Sequence, residues 1–537
     1  DFRKGVSRYM KKIFSKNSLL KIILIFLMSL SFLLCIYSVK NYKSNSYPQN
    51  RAGQFSQFNR QNGQTGNKNW NHSVKQTPPG SNANTQNNHN NTINSGKNGF
   101  NSSNNKFAPL LTVYLAVFLA LCIVIYRNFI QKNMKIKSVN TKMLIFSMLF
   151  TSLFLKITLS TFMEGYGGDV RLFESWASSA ANNFSQFYIN SSSSDYPPLY
   201  IYVLFFIGKA ASLSSLNPYY ILLLKLPSII ADMATAYLIY KLAQKYLSAE
   251  MSVFLSIFYI FSPAVFIDSA LWGQVDSFFT LLVVLSLFLL SEGKTALSSV
   301  FFASSVLMKP QGIIFLPVLF FELIRKKDLK IFIKSVISAG ITALAVIIPF
   351  SASQNIMWIF KLYSNTISEY PYASVNGFNF FNLMGANYEN SSNTFLIFSY
   401  KIWGLAAIIT ITVLSWIIYI RRKSRTLAFS CALVQISGVF AFSTGMHERY
   451  LFPATALCIL AFIYLKDKRF LTLLMGYTIT IYGNIYYILF GTLNRMNSNS
   501  HSIITDGISL LNVLLFFYLV KVLMDRDKQL PAIVSKL

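Results

Sequence analysis

The motif best suited to chemistry is a glycine-rich turn that runs from residue 165 to residue 176 and reads GYGGDVRLFESW. Its glycines allow the backbone to turn sharply, which would present Asp169 at the point where a helix starts. A carboxylate in such a place can act as a general base and accept a proton from a hydroxyl group. Asp is also a favoured N-cap, so a purely structural role at the start of a helix over residues 170–181 is the alternative.

Two basic motifs could bind a phosphate. Lys309, in the sequence MKPQ that ends with Gln311, lies between two apolar runs, where a cation needs a negative partner unless its side chain snorkels to the surface. In the sequence HERY, Arg449 offers a planar fork for phosphate oxygens, and His447 can donate or accept a hydrogen bond. A structural pair of Glu448 with Arg449 is the alternative, and the spacing does not match the HExxH pattern of paired zinc ligands.

Two further motifs combine a carboxylate with an aromatic ring. Asp195 and Tyr196 precede two prolines, which hold the backbone extended and could aim either side chain into a cavity, or simply form a turn. In the sequence WGQVD, Gln274 and Asp276 could bind sugar-like hydroxyl groups, with Trp272 as a stacking face. An interfacial anchoring role for Trp272 and an N-cap role for Asp276 are the alternatives.

Polar residues in two other segments have less definite roles. Lys225 and Asp232 lie seven residues apart in one apolar run and therefore on one helix face, where they could contact a lipid phosphate or stabilise helix packing. Asn376 and Asn379, in a Tyr- and Phe-rich segment, supply amides and aromatic neighbours suited to a carbohydrate or a polyprenyl chain. Anchoring of the aromatic rings at a membrane interface accounts for part of that pattern.

The composition indicates that these motifs belong to a membrane protein. Of the 537 residues, 53% are hydrophobic and 12% are charged, whereas soluble domains carry about 25% charged residues. The net charge of +29 is concentrated in short loops between apolar runs, which is typical of the cytoplasmic side of a membrane protein and argues against nucleic-acid binding. These basic clusters are Arg3–Lys16, Arg127–Lys142, Arg325–Lys330, Arg421–Arg425, Lys466–Arg469 and Lys521–Lys528.

The apolar runs predict an all-α polytopic fold with about fourteen spans and both termini in the cytoplasm. The predicted spans are 19–37, 109–127, 143–162, 219–242, 251–268, 276–291, 295–308, 311–325, 331–350, 396–420, 427–444, 450–466, 470–491 and 508–524. The first is predicted to be an uncleaved anchor. The pair 295–308 and 311–325 is short, which predicts a bent or re-entrant hairpin.

Composition also divides the chain into two predicted modules. Residues 1–142 form an accessory module, whose two spans flank an Asn-, Gln-, Ser- and Gly-rich loop at 41–106 that is expected to be disordered. Residues 143–537 form the core, with outer loops at 163–218 and 351–393. The apolar stretch 199–216 is predicted to lie along the outer interface, because counting it as a span would reverse every later basic loop.

The predicted topology places many of the 19 acidic residues on one side. Those on or near the outer side are Glu164, Asp169, Glu174, Asp195, Asp268, Asp276, Glu369, Glu389, Glu448 and Asp506. Carboxylates at the ends of apolar helices are costly and usually functional, so this pattern indicates a polar cavity that opens outward. The four cysteines lie inside apolar runs and indicate neither disulfides nor a zinc site.

Taken together, these motifs resemble the GT-C superfamily of membrane glycosyltransferases. They are most similar to bacterial relatives of the second GPI mannosyltransferase and to protein O-mannosyltransferases. The matching elements span residues 143–524 and are GGD ending at Asp169, DYPP from Asp195, KLP from Lys225 with Asp232, WGQVD from Trp272, KPQ from Lys309, SVN ending at Asn376 and HERY from His447.

The resemblance implies a GT-C-like helical bundle, a sugar donor on polyprenyl phosphate and an inverting displacement. It implies that Asp169 is the general base, and that Lys309, His447 and Arg449 hold the leaving phosphate. The WGQVD residues would contact the sugar or its lipid end. Some members need a divalent metal such as Mg²⁺ or Mn²⁺; the several basic side chains here favour a metal-independent reaction, with no metal ligands assigned.

The expected function is therefore transfer of a hexose, with mannose as the first choice, to a hydroxyl on a glycan, lipid or protein at the outer face of the plasma membrane. A lipid-linked donor fits this location because nucleotide sugars remain in the cytoplasm. A flippase or transporter of lipid-linked sugars is one alternative, although no internal repeat supports it. An outer-face glycan ligase or polymerase is another, and a surface anchor for the Asn-rich loop is a third.

Overall fold

The computed structural model describes residues 16–42, 107–131, 140–191, 194–422, 424–491 and 502–534. Apart from one short hairpin, the described regular structure is helical. The prediction of a helical polytopic membrane protein is confirmed. The predicted disordered loop at 41–106 lies outside the described residues except for Asn41 and Tyr42. Most of the N-terminal basic cluster and the extreme C-terminus also lie outside them.

Three helices come from the N-terminal part of the chain and the first span of the core. They are α1 (Lys16–Lys40), α2 (Ala108–Ile125, continued by a π-helical turn at Tyr126–Gln131) and α3 (Thr141–Phe162). Helix α1 packs along α3, and most of its apolar side chains, such as Phe26 and Leu33, remain exposed on the protein surface. Such an apolar surface is suited to contact with lipid.

The central part of the chain contains ten helices. They are α4 (Gly167–Asn182), α5 (Phe187–Asn190), α6 (Pro198–Ala211), α7 (Tyr220–Tyr246), α8 (Ala249–Ile260), α9 (Pro263–Phe266, continued by a π-helical segment at Ile267–Trp272), α10 (Asp276–Ser291), α11 (Thr295–Met308), α12 (Leu316–Lys326) and α13 (Leu329–Ile347). The predicted interfacial stretch 199–216 is largely helix α6, which buries Tyr200, Ile201 and Leu204 as it packs on α4.

The C-terminal part adds seven helices and a hairpin. The helices are α14 (Trp358–Ser368), α15 (Phe380–Leu383), α16 (Tyr400–Arg422), α17 (Ala428–Phe442), α18 (Ala454–Leu465), α19 (Arg469–Phe490) and α20 (Ile503–Val534). Strands β1 (Thr394–Phe395) and β2 (Phe398–Ser399) pair antiparallel. Helices α17 and α18 are buried over almost their whole length, which places them at the centre of the bundle.

The predicted count of fourteen spans is not confirmed. Among the described residues, nine helices are long and apolar enough to cross a membrane, or ten if α8 and the segment from Pro263 to Trp272 form one bent span. Helices α10, α11 and α18 are apolar but have only 16, 14 and 12 residues, and a full crossing takes about 20. The predicted hairpin at 295–308 and 311–325 is helix α11, a 3₁₀ turn at Pro310–Phe315 and helix α12.

The helices run between two chemically different ends of the bundle. At one end, which we call the basic end, Lys245 pairs with Glu292 at 3.2 Å, Lys326 donates to the Gly293 carbonyl at 3.5 Å, and Arg469 pairs with Asp525 at 2.9 Å. The opposite end, which we call the acidic end, carries Asp169, Asp195, Asp276 and Glu448 on helix starts and connecting segments. Helix α10, for example, begins with Asp276 at the acidic end and is followed by Glu292 at the basic end.

Candidate active site

Asp169 lies in the first turn of α4, but it does not cap the helix. The helix begins at Gly167, and its N-cap, Tyr166, makes no side-chain capping bond. The Asp169 Oδ2 atom accepts hydrogen bonds from Trp272 Nε1 at 2.7 Å and from Gln274 Nε2. Arg449 Nη2 lies 3.5 Å from the same oxygen. Within the described chain, the other oxygen, Oδ1, accepts no hydrogen bond, so one side of the carboxylate is held and the other is open.

A second carboxylate, Asp276, lies at the first residue of α10 and faces two cations. Lys309 Nζ contacts Asp276 Oδ1 at 2.7 Å, and both side chains are almost completely buried. Arg449 Nε lies 3.6 Å from Asp276 Oδ2, which is longer than a hydrogen bond. Arg449 also pairs with Glu448 through Nη1. Acids and cations therefore alternate in the order Asp169, Arg449, Asp276, Lys309.

The backbone explains why Lys309 can reach this position. It follows the last residue of α11, and its φ of −147° and ψ of 142° are extended. Pro310 disfavours a helical conformation in the residue before it, so the helix stops at Met308 and the lysine leaves the helix path. The side chain then points toward the rings of Tyr196 and Tyr450, at 5.8 and 6.0 Å from their centroids.

Aromatic rings line the same site. The ring of Tyr166 stacks on Trp272 with centroids 4.5 Å apart, and the Arg449 guanidinium lies 5.4 Å from the Trp272 ring centroid. The Tyr196 hydroxyl donates to Gln274 Oε1 at 3.4 Å. Trp272, Gln274 and Tyr196, all predicted to contact a ligand, therefore lie together around Asp169. Tyr166 was not singled out from the sequence as a site residue. Its position inside the glycine-rich motif, three residues before Asp169, could have identified it.

His447 lies next to the cations but differs from them in charge. Its ring is 4.6 Å from that of Tyr370 and 4.9 Å from that of Tyr450, measured between centroids. Burial, and then the positive charges of Arg449 and Lys309, hold the pKa of His447 well below its usual value. The imidazole is therefore neutral at physiological pH and can serve as a hydrogen-bond partner but adds no positive charge.

The remaining predicted ligand-binding residues have mixed surroundings. Asn376 donates to the Tyr388 hydroxyl at 2.9 Å. Asn379 caps α15 and donates to the Ser443 carbonyl at 3.2 Å, so its amide is engaged within the fold. The buried Gln311 Oε1 atom has no hydrogen-bond partner among the described residues. Whether these side chains contact a ligand stays a prediction.

The two charged residues of α7 are engaged within the bundle. The carboxylate of Asp232 pairs with Lys156 of α3, and both side chains are fully buried. Lys225 donates to backbone carbonyls of Met163 at 2.7 Å and Ala270 at 2.9 Å. The contact of Lys225 with a donor phosphate stays a prediction. Lys156 was not singled out from the sequence, although a lone lysine inside the apolar run 143–162 was a signal that it needs a buried partner.

Glycines allow the two turns that carry these side chains to touch. Gly165 has a φ of +112°, and a Cβ atom built there would lie 2.5 Å from the Trp272 carbonyl oxygen and 2.6 Å from a methyl carbon of Val170. The next residue, Tyr166, donates its backbone N–H to the same carbonyl at 2.9 Å. Only glycine adopts this φ readily and leaves room for the approach.

Replacing Gly165 by alanine is therefore expected to destabilise the protein and to displace Asp169. A strained backbone position costs about 1–3 kcal/mol, and the clash with the Trp272 carbonyl adds to that cost. Gly168→Ala is the matched control, because its Cβ would meet only the Tyr166 ring, at 3.3 Å. Thermal unfolding of the purified variants measures the effect. Equal melting temperatures for the two would contradict the assigned role of Gly165.

Two carboxyl groups near the site bind protons unusually tightly. Burial raises the pKa of Asp195 to about 6; the negative charge of Asp169 adds to the shift, and Lys309 and Arg449 oppose it. Burial raises the pKa of Glu369 to about 7, and the charge of Asp195 contributes. The two segments are joined by Thr366, whose hydroxyl donates to the Asp195 carbonyl at 2.9 Å. Both groups therefore change charge within the physiological range.

These shifts predict how stability depends on pH. Both groups hold their protons more tightly in the folded protein than in the unfolded chain, so their ionisation opposes folding. The stability that these two protonated groups contribute should be fully present below about pH 4 and should be lost as the pH rises through about 6 for Asp195 and about 7 for Glu369. In the variant Glu369→Gln, the loss of stability near pH 7 should disappear. Melting temperatures recorded against pH test this, with Glu389→Gln as control, and superimposable profiles for Glu369→Gln and the unmodified protein would refute it.

The acids of the site pair with cations and N–H donors rather than with one another. In the described parts of the chain, no three or more His, Cys, Asp or Glu side chains are grouped so that they could hold a metal ion. The oxygens of Asp169 and Asp276 instead face Trp272, Gln274, Arg449 and Lys309. The site as described is thus an arrangement of carboxylates and cationic or N–H donors.

A known protein family matches part of the chain. The model of glycosyltransferase family 87, a family of the GT-C type, matches residues 196–444, just under half of the chain. The match includes Tyr196, the WGQVD segment and Lys309, but it ends before Arg449 and begins after Asp169. The match supports the interpretation of the protein as a membrane glycosyltransferase. No curated protein matches the chain.

Proposed function

We propose that this protein transfers a hexose from a polyprenyl-phosphate carrier to an acceptor hydroxyl, with inversion at the anomeric carbon. The observation that carries the proposal is the alternating order of Asp169, Arg449, Asp276 and Lys309 at the acidic end of the bundle. These contacts support the proposal because they bring Asp169 and the two cations Arg449 and Lys309 within one continuous chain of ion pairs. By the positive-inside rule, the acidic end faces outward and both termini lie in the cytoplasm of a plasma-membrane protein.

Arg449 and Lys309 are suited to binding the leaving phosphate. Arg449 Nε is buried and has no hydrogen-bond acceptor among the described residues, because Asp276 Oδ2 is 3.6 Å away. A phosphate oxygen could satisfy that donor. As the bond between the anomeric carbon and the phosphate oxygen breaks, negative charge grows on the phosphate. Fixed cations in a buried site stabilise that charge without reorganising.

Asp169 is suited to the role of the base. Three donors, from Trp272, Gln274 and Arg449, surround its Oδ2 atom and fix the orientation of the carboxylate. The open Oδ1 atom could then take the proton of the acceptor hydroxyl while the hydroxyl oxygen attacks the anomeric carbon from the side opposite the phosphate. The products are the glycoside and the free polyprenyl phosphate, and the proton remains on Asp169 until it passes to water.

The experiment tests which donor is used and which reaction occurs. It offers polyprenyl-phosphate mannose, glucose and galactose in parallel, with octyl glycosides as acceptors. The purified protein in lipid nanodiscs should release polyprenyl phosphate and form a new glycoside from one of these donors, with mannose as the first expectation. Nuclear magnetic resonance of the product gives the anomeric configuration, which should be opposite to that of the donor. Transfer from a nucleotide sugar instead, or retention of configuration, would overturn the proposal.

A further inference from the structure

Lys225 is a buried lysine whose ammonium group is fully occupied by backbone carbonyls. It is only 1% exposed, and its Nζ donates to the carbonyls of Met163 at 2.7 Å, Ala270 at 2.9 Å and Leu271 at 3.5 Å. An ammonium has three N–H donors, so each can be directed at one of these carbonyls. The side chain therefore binds the protein's own backbone.

The three carbonyls belong to the ends of two helical segments. Met163 is the C-cap of α3, and Ala270 and Leu271 are in the last turn of the π-helical segment that ends at Trp272. Carbonyls at a helix C-terminus have no partner within the helix and carry partial negative charge. One cation placed between two such ends satisfies both, and this offsets the cost of burying its charge.

Each of these helix ends is followed directly by a turn that carries residues of the candidate active site. Six residues after Met163 comes Asp169, the candidate base. Trp272 and Gln274, which bond its carboxylate, follow closely after Leu271. The positions of these two turns relative to each other decide whether the carboxylate meets its donors.

Other short contacts hold the second turn in the same way. Ser160 Oγ donates to the Ala270 carbonyl at 3.0 Å, and Ser228 Oγ, one helical turn from Lys225, donates to the Gln274 carbonyl at 2.6 Å. Gly273, with a φ of +85°, lies against the lysine stem, since a Cβ built there would be 3.2 Å from Lys225 Cε. Substitution at this glycine would therefore push on the lysine.

We propose that Lys225 is a positioning residue that fixes the Asp169 turn against the Trp272–Asp276 turn. It acts through the backbone and does not touch the sugar or the phosphate. This inference rests on the proposed function for its catalytic consequence, whereas its structural part, the joining of two turns by one ammonium group, can be tested without activity. The positioning role differs from the phosphate contact that the sequence suggested, and the two roles predict different changes in kcat and KM.

The test compares Lys225→Met with the unmodified protein in nanodiscs, using the polyprenyl-phosphate hexose that is turned over. Loss of positioning should lower kcat about 100-fold, the scale expected for misplacement by about 1 Å, while the KM for the donor changes less than about twofold. Lys361→Met, which alters an exposed lysine near the same end of the bundle, is the matched control and should retain full kcat. A phosphate ligand would instead give a raised donor KM, and that result would overturn the inference.

Hydrogen exchange measured by mass spectrometry provides the second readout. In Lys225→Met, amides in both 163–170 and 267–276 should exchange faster, while the basic end stays unchanged. Should Lys225→Met fail to fold, Ser160→Ala provides a milder change, because Ser160 donates to the Ala270 carbonyl that Lys225 also contacts. This variant should lower kcat several-fold and should also speed amide exchange in both segments. Unchanged exchange in either segment, or unchanged kcat per folded molecule, would refute the positioning role. Faster exchange in both segments of a protein that transfers no sugar would uphold the positioning role and refute the proposed function.

Discussion

Replacing Asp169 by asparagine is expected to lower kcat by about 10²- to 10⁴-fold, the usual contribution of a general base. Asparagine has nearly the same shape, and its carbonyl oxygen can still accept the hydrogen bonds of Trp272 and Gln274. The site should therefore stay assembled while the ability to take a proton is lost. Donor affinity, measured by titration with the polyprenyl-phosphate hexose, should change little.

The control for this experiment is Glu389→Gln. Glu389 precedes the β1–β2 hairpin, and its carboxylate accepts a hydrogen bond from Asn393 at 3.1 Å in an exposed position. Removing that charge should leave kcat unchanged. Full activity in Asp169→Asn would exclude this residue as the base, and a large loss of donor binding would show that Asp169 mainly organises Arg449.

Replacing Lys309 by methionine is expected to lower the free energy of unfolding by about 3–5 kcal/mol, because it leaves a buried carboxylate without its partner. Lys309 Nζ and Asp276 Oδ1 are 2.7 Å apart, with side chains only 3% and 4% exposed. The double variant Lys309→Met/Asp276→Asn should regain much of the stability, since it removes both charges. It should not regain transfer, because the phosphate would still lack its cation.

Lys245→Met provides the comparison at the other end of the molecule. Its partner is Glu292 at 3.2 Å, and the two side chains are 49% and 33% exposed. Exposed pairs contribute about 0–1 kcal/mol, so this variant should unfold almost like the unmodified protein. Unfolding in mixed micelles measures all three variants. A similar small loss for Lys309→Met and Lys245→Met would show that Asp276 is compensated by something other than Lys309, with Arg449 as the nearest candidate.

The sequence alone determined the class of protein and the location of its helices. Every predicted span overlaps a helix in the structure, because a run of apolar residues in a membrane must satisfy its backbone groups within itself. The predicted span 295–308 also ends where helix α11 ends, at Met308, for an equally local reason, since Pro310 restricts the residue before it. The motifs that contain Asp169, Trp272 and Arg449 could be found because charged and aromatic residues stand out against apolar runs.

The tertiary structure alone decided which charges meet. Arg449 lies between Asp169 and Asp276, and Lys309 rather than another cation pairs with Asp276. The sequence left open whether Lys225 contacts a lipid phosphate or stabilises helix packing, and only the fold shows that its ammonium contacts the ends of two helices. Such partners are far apart in the chain, and the residues between them do not encode the packing that brings them together. Burial makes each pairing important for stability, because a charge that is removed from water is costly unless an opposite charge lies close to it.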